Sequence, residues 1–183
     1  MKLTKTPLND AYVIEPKVFG DDRGFFYESF NQKVFNELTQ TNYSFVQDNH
    51  SKSSQGVLRG LHYQIQNAQG KLVRVTEGSV YDVAVDIRKS SSTFGKWFGL
   101  VLSAENKKMF WIPPGFAHGF YVISPTCEFL YKTTDYYAPP FERAILWNDK
   151  DLKIDWPLVD NRPPMLSAKD QSGFSFETAE KVE

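Results

Sequence analysis

Cysteine is nearly absent: the chain holds one thiol, Cys127, in 183 residues. No internal disulfide can form, which fits a reducing compartment and makes the cytoplasm the expected location. With no second cysteine and no adjacent histidine to activate it, Cys127 reads as a small core hydrophobe rather than a nucleophile. An excess of either charge is absent too. Lys+Arg 21 against Asp+Glu 22 leaves a net charge of -1, so no whole-molecule field would draw in nucleic acid or an anionic membrane. Any anion must be captured by a local cluster. The N-terminus, MKLTKTPLNDAYVIE, lacks an apolar run of signal-peptide length, so secretion is not expected. Residues 109–127, MFWIPPGFAHGFYVISPTC, carry no charged side chain and are long enough to raise the question of a membrane span. Pro113, Pro114, Pro125, Gly115 and Gly119 forbid an uninterrupted helix there, and the segment reads as two strands joined by a turn.

Helix signals are sparse as well. The best is 31–39, where Asn31 is placed to cap and Val34, Phe35 and Leu38 share a face. What is abundant is period-two alternation. Tyr81, Val83, Val85 and Ile87 alternate with Val80, Asp82, Ala84 and Asp86; Cys127, Phe129, Tyr131 and Thr133 alternate with Glu128, Leu130 and Lys132. Both read as half-buried strands. Further strands are expected at 11–15, 25–30, 44–48, 57–65, 71–76, 97–102, 108–112, 119–123 and 144–147, separated by turn signals such as Glu77-Gly78-Ser79 and Pro113-Pro114-Gly115. Many short antiparallel strands in one domain, 1–183, argue for an all-β sandwich or jelly-roll barrel with room for a small molecule. The apolar Tyr12, Val13 and Ile14 near the N-terminus would be exposed enough to add a strand to a neighbour.

Function has to come from polar residues that interrupt these strands, and LRGLHYQ (58–64) is the sharpest case. In a plain strand Arg59 and His62 point to opposite faces. Gly60 changes that, because a glycine inside a strand commonly marks a bulge that re-aims the next side chains. On this heptapeptide alone, a surface arginine and a core histidine are the commoner outcome. Further polar insertions into β-like surroundings shift the balance: DDRGFFYESF (21–30), FVQDNHS (45–51), NAQGKLVRV (67–75), PPGFAHGF (113–120), EFLYKTTDYY (128–137) and LSAKD (166–170).

Through RGLHYQ, PPGFAHGF and FLYKTTDYY together, the chain resembles the dTDP-4-dehydrorhamnose 3,5-epimerase family from about Glu15 to Asp170. The resemblance implies a double-stranded β-helix, a cupin-like jelly-roll barrel with a few short helices. It implies a homodimer, and a dTDP-keto-sugar whose C3 and C5 are inverted beside a C4 ketone. The stretch 158–164 and the tail after Asp170 match no usable pattern.

Such chemistry needs a base, an anion stabiliser and an acid. His62 suits the base, since an imidazole is partly neutral near pH 7, with Asp170 holding its other nitrogen. Lys71 is placed for the developing O4 oxyanion. Tyr131, on a strand face that would look into the barrel, suits a proton donor on the face His62 does not reach. Arg59 and Arg23 would grip the diphosphate, with Lys169 adding a third cation. The resemblance also places Glu28, Gln47, Asp48 and Asn49 near nucleotide or sugar, stacks Tyr137 on thymine, makes His118 a second pocket histidine, and includes Glu142. Asp82 and Asp86 share a strand face and either line the cavity, orient neighbours, or face water, as paired strand carboxylates more often do.

A metal centre is not expected: His62 has no histidine at i±2, and Arg59 and Lys71 would oppose a dication. No Gly-x-Gly-x-x-Gly follows a strand, so no dinucleotide is expected and the chemistry would need no cofactor. Two alternatives stay open: inversion at a single carbon, and a non-catalytic sugar-nucleotide-binding barrel.

Overall fold

The period-two runs form two facing antiparallel sheets. The computed structural model describes residues 1–183. Its strands are β1 (Lys2–Lys5), β2 (Tyr12–Glu15), β3 (Phe19–Asp21), β4 (Gly24–Phe26), β5 (Gln47–Ser54), β6 (Leu58–Gln64), β7 (Lys71–Glu77), β8 (Ser79–Asp86), β9 (Trp97–Ser103), β10 (Met109–Ile112), β11 (Phe116–Val122), β12 (Thr126–Thr133) and β13 (Glu142–Ala144). Helices are short: α1 (Gln32–Thr39), α2 (Ala168–Gln171) and two single turns of 3-10 helix at Pro139–Phe141 and Val159–Asn161. One sheet runs β1-β2-β10-β7-β12-β5, the other β13-β6-β11-β8-β9, and β3-β4 form a separate hairpin. The chain crosses between sheets at each corner, as in the expected cupin-like jelly roll. The charge-free 109–127 stretch is one such corner: β10 and β11 are the two expected strands, but they belong to different sheets and do not form a hairpin.

Alternation explains the layers. Inward residues of both sheets, including Val73, Val75, Ala84, Phe110, Phe120 and Phe129, make the central core, to which the buried Cys127 also belongs. Burial pushes the Cys127 thiol up to about 12, in keeping with an inert packing role. The outer faces are covered as well. α1 closes the six-stranded sheet with Phe35 against Trp111, ring centroids 4.9 Å apart at 78°, an edge-to-face pair worth about 1 kcal/mol beyond its burial. Asn31 caps this helix as expected, accepting from the Val34 N–H at 3.1 Å. The other sheet is closed by the C-terminal chain, where Leu152, Trp156 and Ala179 pack on Leu61, Val83 and Tyr121.

These outer covers correct several expectations. β8 is buried on both faces rather than half-buried, its outer face by the C-terminal chain; Asp82 and Asp86, on its inward face with Val80 and Ala84, are wholly buried between the sheets rather than wet. Asp86 is fully engaged by Arg88, Ser91 and Thr93. Val13 and Ile14 are buried, since β2 lies between β1 and β10 within its own sheet; the N-terminal apolar run offers no free strand to a neighbour. The strand expected at 44–48 begins at Gln47 and continues to Ser54, and that expected at 25–30 is the short β4. The tail after Asp170 runs over the five-stranded sheet, bridging Phe174 to Ile145 and Val182 to Arg88. No helix is long and apolar enough to cross a membrane.

Candidate active site

The bulge that Gly60 suggested is present. Opposite β11, the register reads His118↔His62 and then Phe120↔Arg59, so β6 spends one residue more than its partner. Gly60 sits at φ +126°, and a Cβ there would meet the Gly119 Cα at 2.5 Å and the His118 carbonyl at 2.7 Å. Arg59 and His62 are thereby turned into the same cavity, about 440 Å³, lined by both sheets.

Behind His62 stands Asp170. Its Oδ1 lies 2.9 Å from His62 Nε2, close enough for a charge contact but too poorly aligned for a ring N–H, so Nε2 makes no formal hydrogen bond. The carboxylate is fixed by a capping box at the start of α2, where Ser167 donates its hydroxyl at 2.5 Å and its N–H at 3.1 Å. The Gly60 N–H donates to Oδ1 at 3.0 Å. Burial alone would raise the Asp170 pKa, but the contacts with His62, Ser167 and Gly60 override it and hold the carboxyl well below the usual range.

Lys71 enters from β7 on the facing sheet and donates to the His62 carbonyl at 3.3 Å. Burial pushes its pKa down to about 8, against the pull of Glu142 and Asp82. His118, directly across from His62, turns Nε2 to Asp82 at 2.9 Å. Burial lowers the pKa of His118, with Asp82 opposing. Tyr131 projects into the cavity from β12. Burial and the Glu142 charge push its phenol up, so it stays protonated near neutrality.

At the outer end, Arg59 is steadied by Ser53 Oγ at 3.1 and 3.2 Å. Gln47 accepts from the Tyr137 N–H at 3.1 Å and donates to Asn49 Oδ1 at 3.0 Å, while Asn49 Nδ2 is buried without a partner. The Tyr137 hydroxyl donates to Glu142 at 2.6 Å, which also pairs with Lys169. Tyr137, Glu142 and Lys169 thus form one linked group at the cavity rim. The cation and the phenol hold the Glu142 carboxyl low although burial opposes them.

Three expected ligand contacts lie elsewhere. Arg23, 90% exposed, pairs with Asp21 on the β3-β4 hairpin. Glu28 accepts from Asn31 at 3.2 Å beside the start of α1. Asp48 pairs with Lys132 at 2.8 Å on the outer face, because Gln47 and Asn49 take the inward positions of β5 and the pleat sends Asp48 outward. Gln64 was missed as a site residue, although it lies on the strand face of His62. Its amide pins the loop carrying Tyr137, donating to the Asn67 and Tyr136 carbonyls and accepting from the Ala138 N–H. Ser167 was missed as well; its signal was the Ser-x-x-Asp spacing before Asp170. No three His, Cys, Asp or Glu side chains are grouped to hold a metal ion.

Residues 5–178 match the dTDP-4-dehydrorhamnose 3,5-epimerase family. The chain belongs to it. It is 62% identical over 180 residues to the dTDP-4-dehydrorhamnose 3,5-epimerase of Pseudomonas aeruginosa, covering 98% of each chain. Over 181 residues it is 60% identical to the enzyme of that name from Shigella flexneri, again covering 98% of each. Among solved structures, a dTDP-6-deoxy-D-glucose-3,5-epimerase from Legionella pneumophila in complex with dTDP-4-keto-L-rhamnose superposes with a TM-score of 0.94. That protein is 53% identical, with 98% of this chain and 94% of that chain covered. Family membership agrees with the cupin-like fold. It also fits the cavity, whose charged and hydrogen-bonding side chains suit a sugar nucleotide.

Proposed function

We propose that this member of the family inverts C3 and C5 of dTDP-4-dehydro-6-deoxy-D-glucose, giving dTDP-4-dehydro-L-rhamnose. The names and high identity of its relatives support the reaction. The observation that carries the mechanism is the convergence of His62, Lys71 and Tyr131 on one cavity from opposite sheets.

A proton beside a ketone is acidic only if the enolate it leaves is stabilised. In this reading His62, whose Nε2 is turned to Asp170, takes the proton through Nδ1, and the resulting imidazolium is stabilised by that carboxylate. The Lys71 ammonium meets the charge that gathers on O4. Tyr131 then delivers a proton to the opposite face of the ring, which inverts the centre. Arg59 binds the diphosphate through its guanidinium fork, and Tyr137, tied to Glu142 and Lys169, forms the platform for the base.

The functional unit in this reading is a homodimer. Phe19, Phe25 and Phe26 are 54%, 64% and 71% exposed on the β3-β4 hairpin, an apolar surface that this chain leaves uncovered. Arg23 sits on the same hairpin, and Glu28 follows it. A second copy is the simplest way to bring these two residues to a ligand they do not reach within their own chain.

Incubation with the keto-sugar in D2O tests the reaction. Deuterium should enter at both C3 and C5 as epimerised product forms. Label at one carbon alone would leave a single-site epimerase, and no label would leave a binding protein.

A further inference from the structure

His62 and His118 are direct cross-strand partners on β6 and β11, and each turns Nε2 toward a buried aspartate. The carboxylate behind His118 is Asp82, reaching across from β8 with its two oxygens 2.9 and 3.1 Å from Nε2. Asp82 and Asp86 lie on one face of β8, both wholly buried. Asp86 is held by a guanidinium and two hydroxyls, the saturated network of a structural carboxylate. Asp82 hydrogen-bonds to His118. A wholly buried carboxylate with so little compensation is a poor stabilising device, since its desolvation is costly.

We propose that Asp82 is a positioning residue for the oxyanion end of the site. It locks His118 in the tautomer with the proton on Nε2, so that Nδ1 is presented to the sugar, and it sets a fixed negative charge opposite the Lys71 ammonium. The inference rests on the epimerase reading. The groups facing Lys71 are His62 on β6, Asp82 on β8, His118 on β11, Tyr131 on β12, Glu142 on β13 and Lys169 on α2. Among them Asp82 and Glu142 favour the charged amine, while burial and Lys169 oppose it. Glu142 is already paired with Lys169 and Tyr137, which leaves Asp82 as the carboxylate not shared with another cation.

Asp82→Asn keeps the shape and removes the charge. Its kcat should fall about tenfold or more with KM changed less than about threefold, as for an orienting carboxylate behind a histidine elsewhere. The alkaline limb of its rate profile should move to lower pH, because Lys71 loses its proton more readily without Asp82. A fall in kcat with an unmoved limb would reduce Asp82 to a packing role and overturn the proposal, as would an unchanged kcat. If the variant does not fold, 15N-histidine spectra of the wild-type protein decide: His118 must be protonated on Nε2, and the Nδ1–H tautomer overturns the assignment. Deuterium incorporation by the wild-type protein is read in parallel. Its absence would remove the epimerase reading itself, while the His118 tautomer would still be read independently.

Discussion

His62 and Tyr131 enter one cavity from opposite sheets, His62 from β6 in the five-stranded sheet and Tyr131 from β12 in the six-stranded sheet. In the proposed mechanism a ring lying between them would meet an imidazole on one face and a phenol on the other, the arrangement that inversion of a carbon requires. The two sheets are held at their separation by the rigid core of Phe120 and Phe129, whose rings stack 4.1 Å apart at 17°. Close packing of this kind fixes the gap between the two side chains far better than a loop would.

Separate roles for the two rings predict separate defects. His62→Ala should abolish deuterium incorporation at C3 and C5. Tyr131→Phe should retain exchange better than net epimerisation, because proton removal persists while delivery to the far face fails. Mass spectrometry and NMR of recovered sugar nucleotide distinguish the two; equal loss of exchange and turnover in Tyr131→Phe would refute this division.

Lys71 predicts the alkaline side of the rate profile. Its amine is pushed down to about 8 by burial, and only the ammonium stabilises an oxyanion, so kcat/KM should decline as pH rises through that region. Lys71→Met should lower kcat by about 10²–10³-fold, the usual loss for a removed oxyanion donor, and should leave no corresponding limb in the residual activity.

Asp170 links catalysis to acid stability. Its carboxyl lies well below the usual range in the folded state, so it stabilises the fold above its unfolded value of about 3.9. That contribution is lost as pH falls through the folded value. Asp170→Asn should therefore unfold with a weaker dependence on pH below about 4, followed by circular dichroism, and its kcat should drop by about 10²-fold or more. An acid titration curve parallel to that of the wild type would count against the link.

Gly60 should tolerate no side chain. Gly60→Ala places a Cβ against the Gly119 backbone at 2.5 Å and at a φ of +126°, so it should destabilise the fold by about 3 kcal/mol or more. Thermal unfolding measures this, and an unchanged Tm would show that the bulge yields without cost.

The rim network predicts a nucleotide defect separable from chemistry. Glu142→Gln weakens the tie between Tyr137 and Lys169. It should raise the Kd for dTDP by about tenfold, the scale of one charge-assisted bond, in titration calorimetry. An unchanged Kd would detach Glu142 from nucleotide binding.

Local pattern was enough for some features because their causes are local. Asn31 caps α1 through its own next turn, β8 and β12 are marked by alternation, and the bulge at Gly60 follows from one residue without a Cβ placed between Arg59 and His62. The resemblance carried His62, Lys71, Tyr131, Tyr137 and Asp170 to positions that do line one cavity. β5 was legible only at its start, since QDNHSKSS has polar residues on both faces. Its inward face is polar because it borders a cavity, and a cavity is a property of two sheets rather than of one strand.

What the amino-acid order settled by itself is the strand-rich character, the capped helix and the residue types that chemistry beside a ketone requires, each set by neighbours a few positions apart. Only the tertiary structure decided which faces are dry. The C-terminal chain covers the outer face of β8, the facing sheets bury Asp82 and Asp86 on its inward face, the pleat of β5 turns Asp48 away from the cavity, and the hairpin holds Arg23 apart from it. Burial and distance depend on segments far apart in sequence, so charges that look alike in the chain become an orienting carboxylate, a structural one and a surface pair.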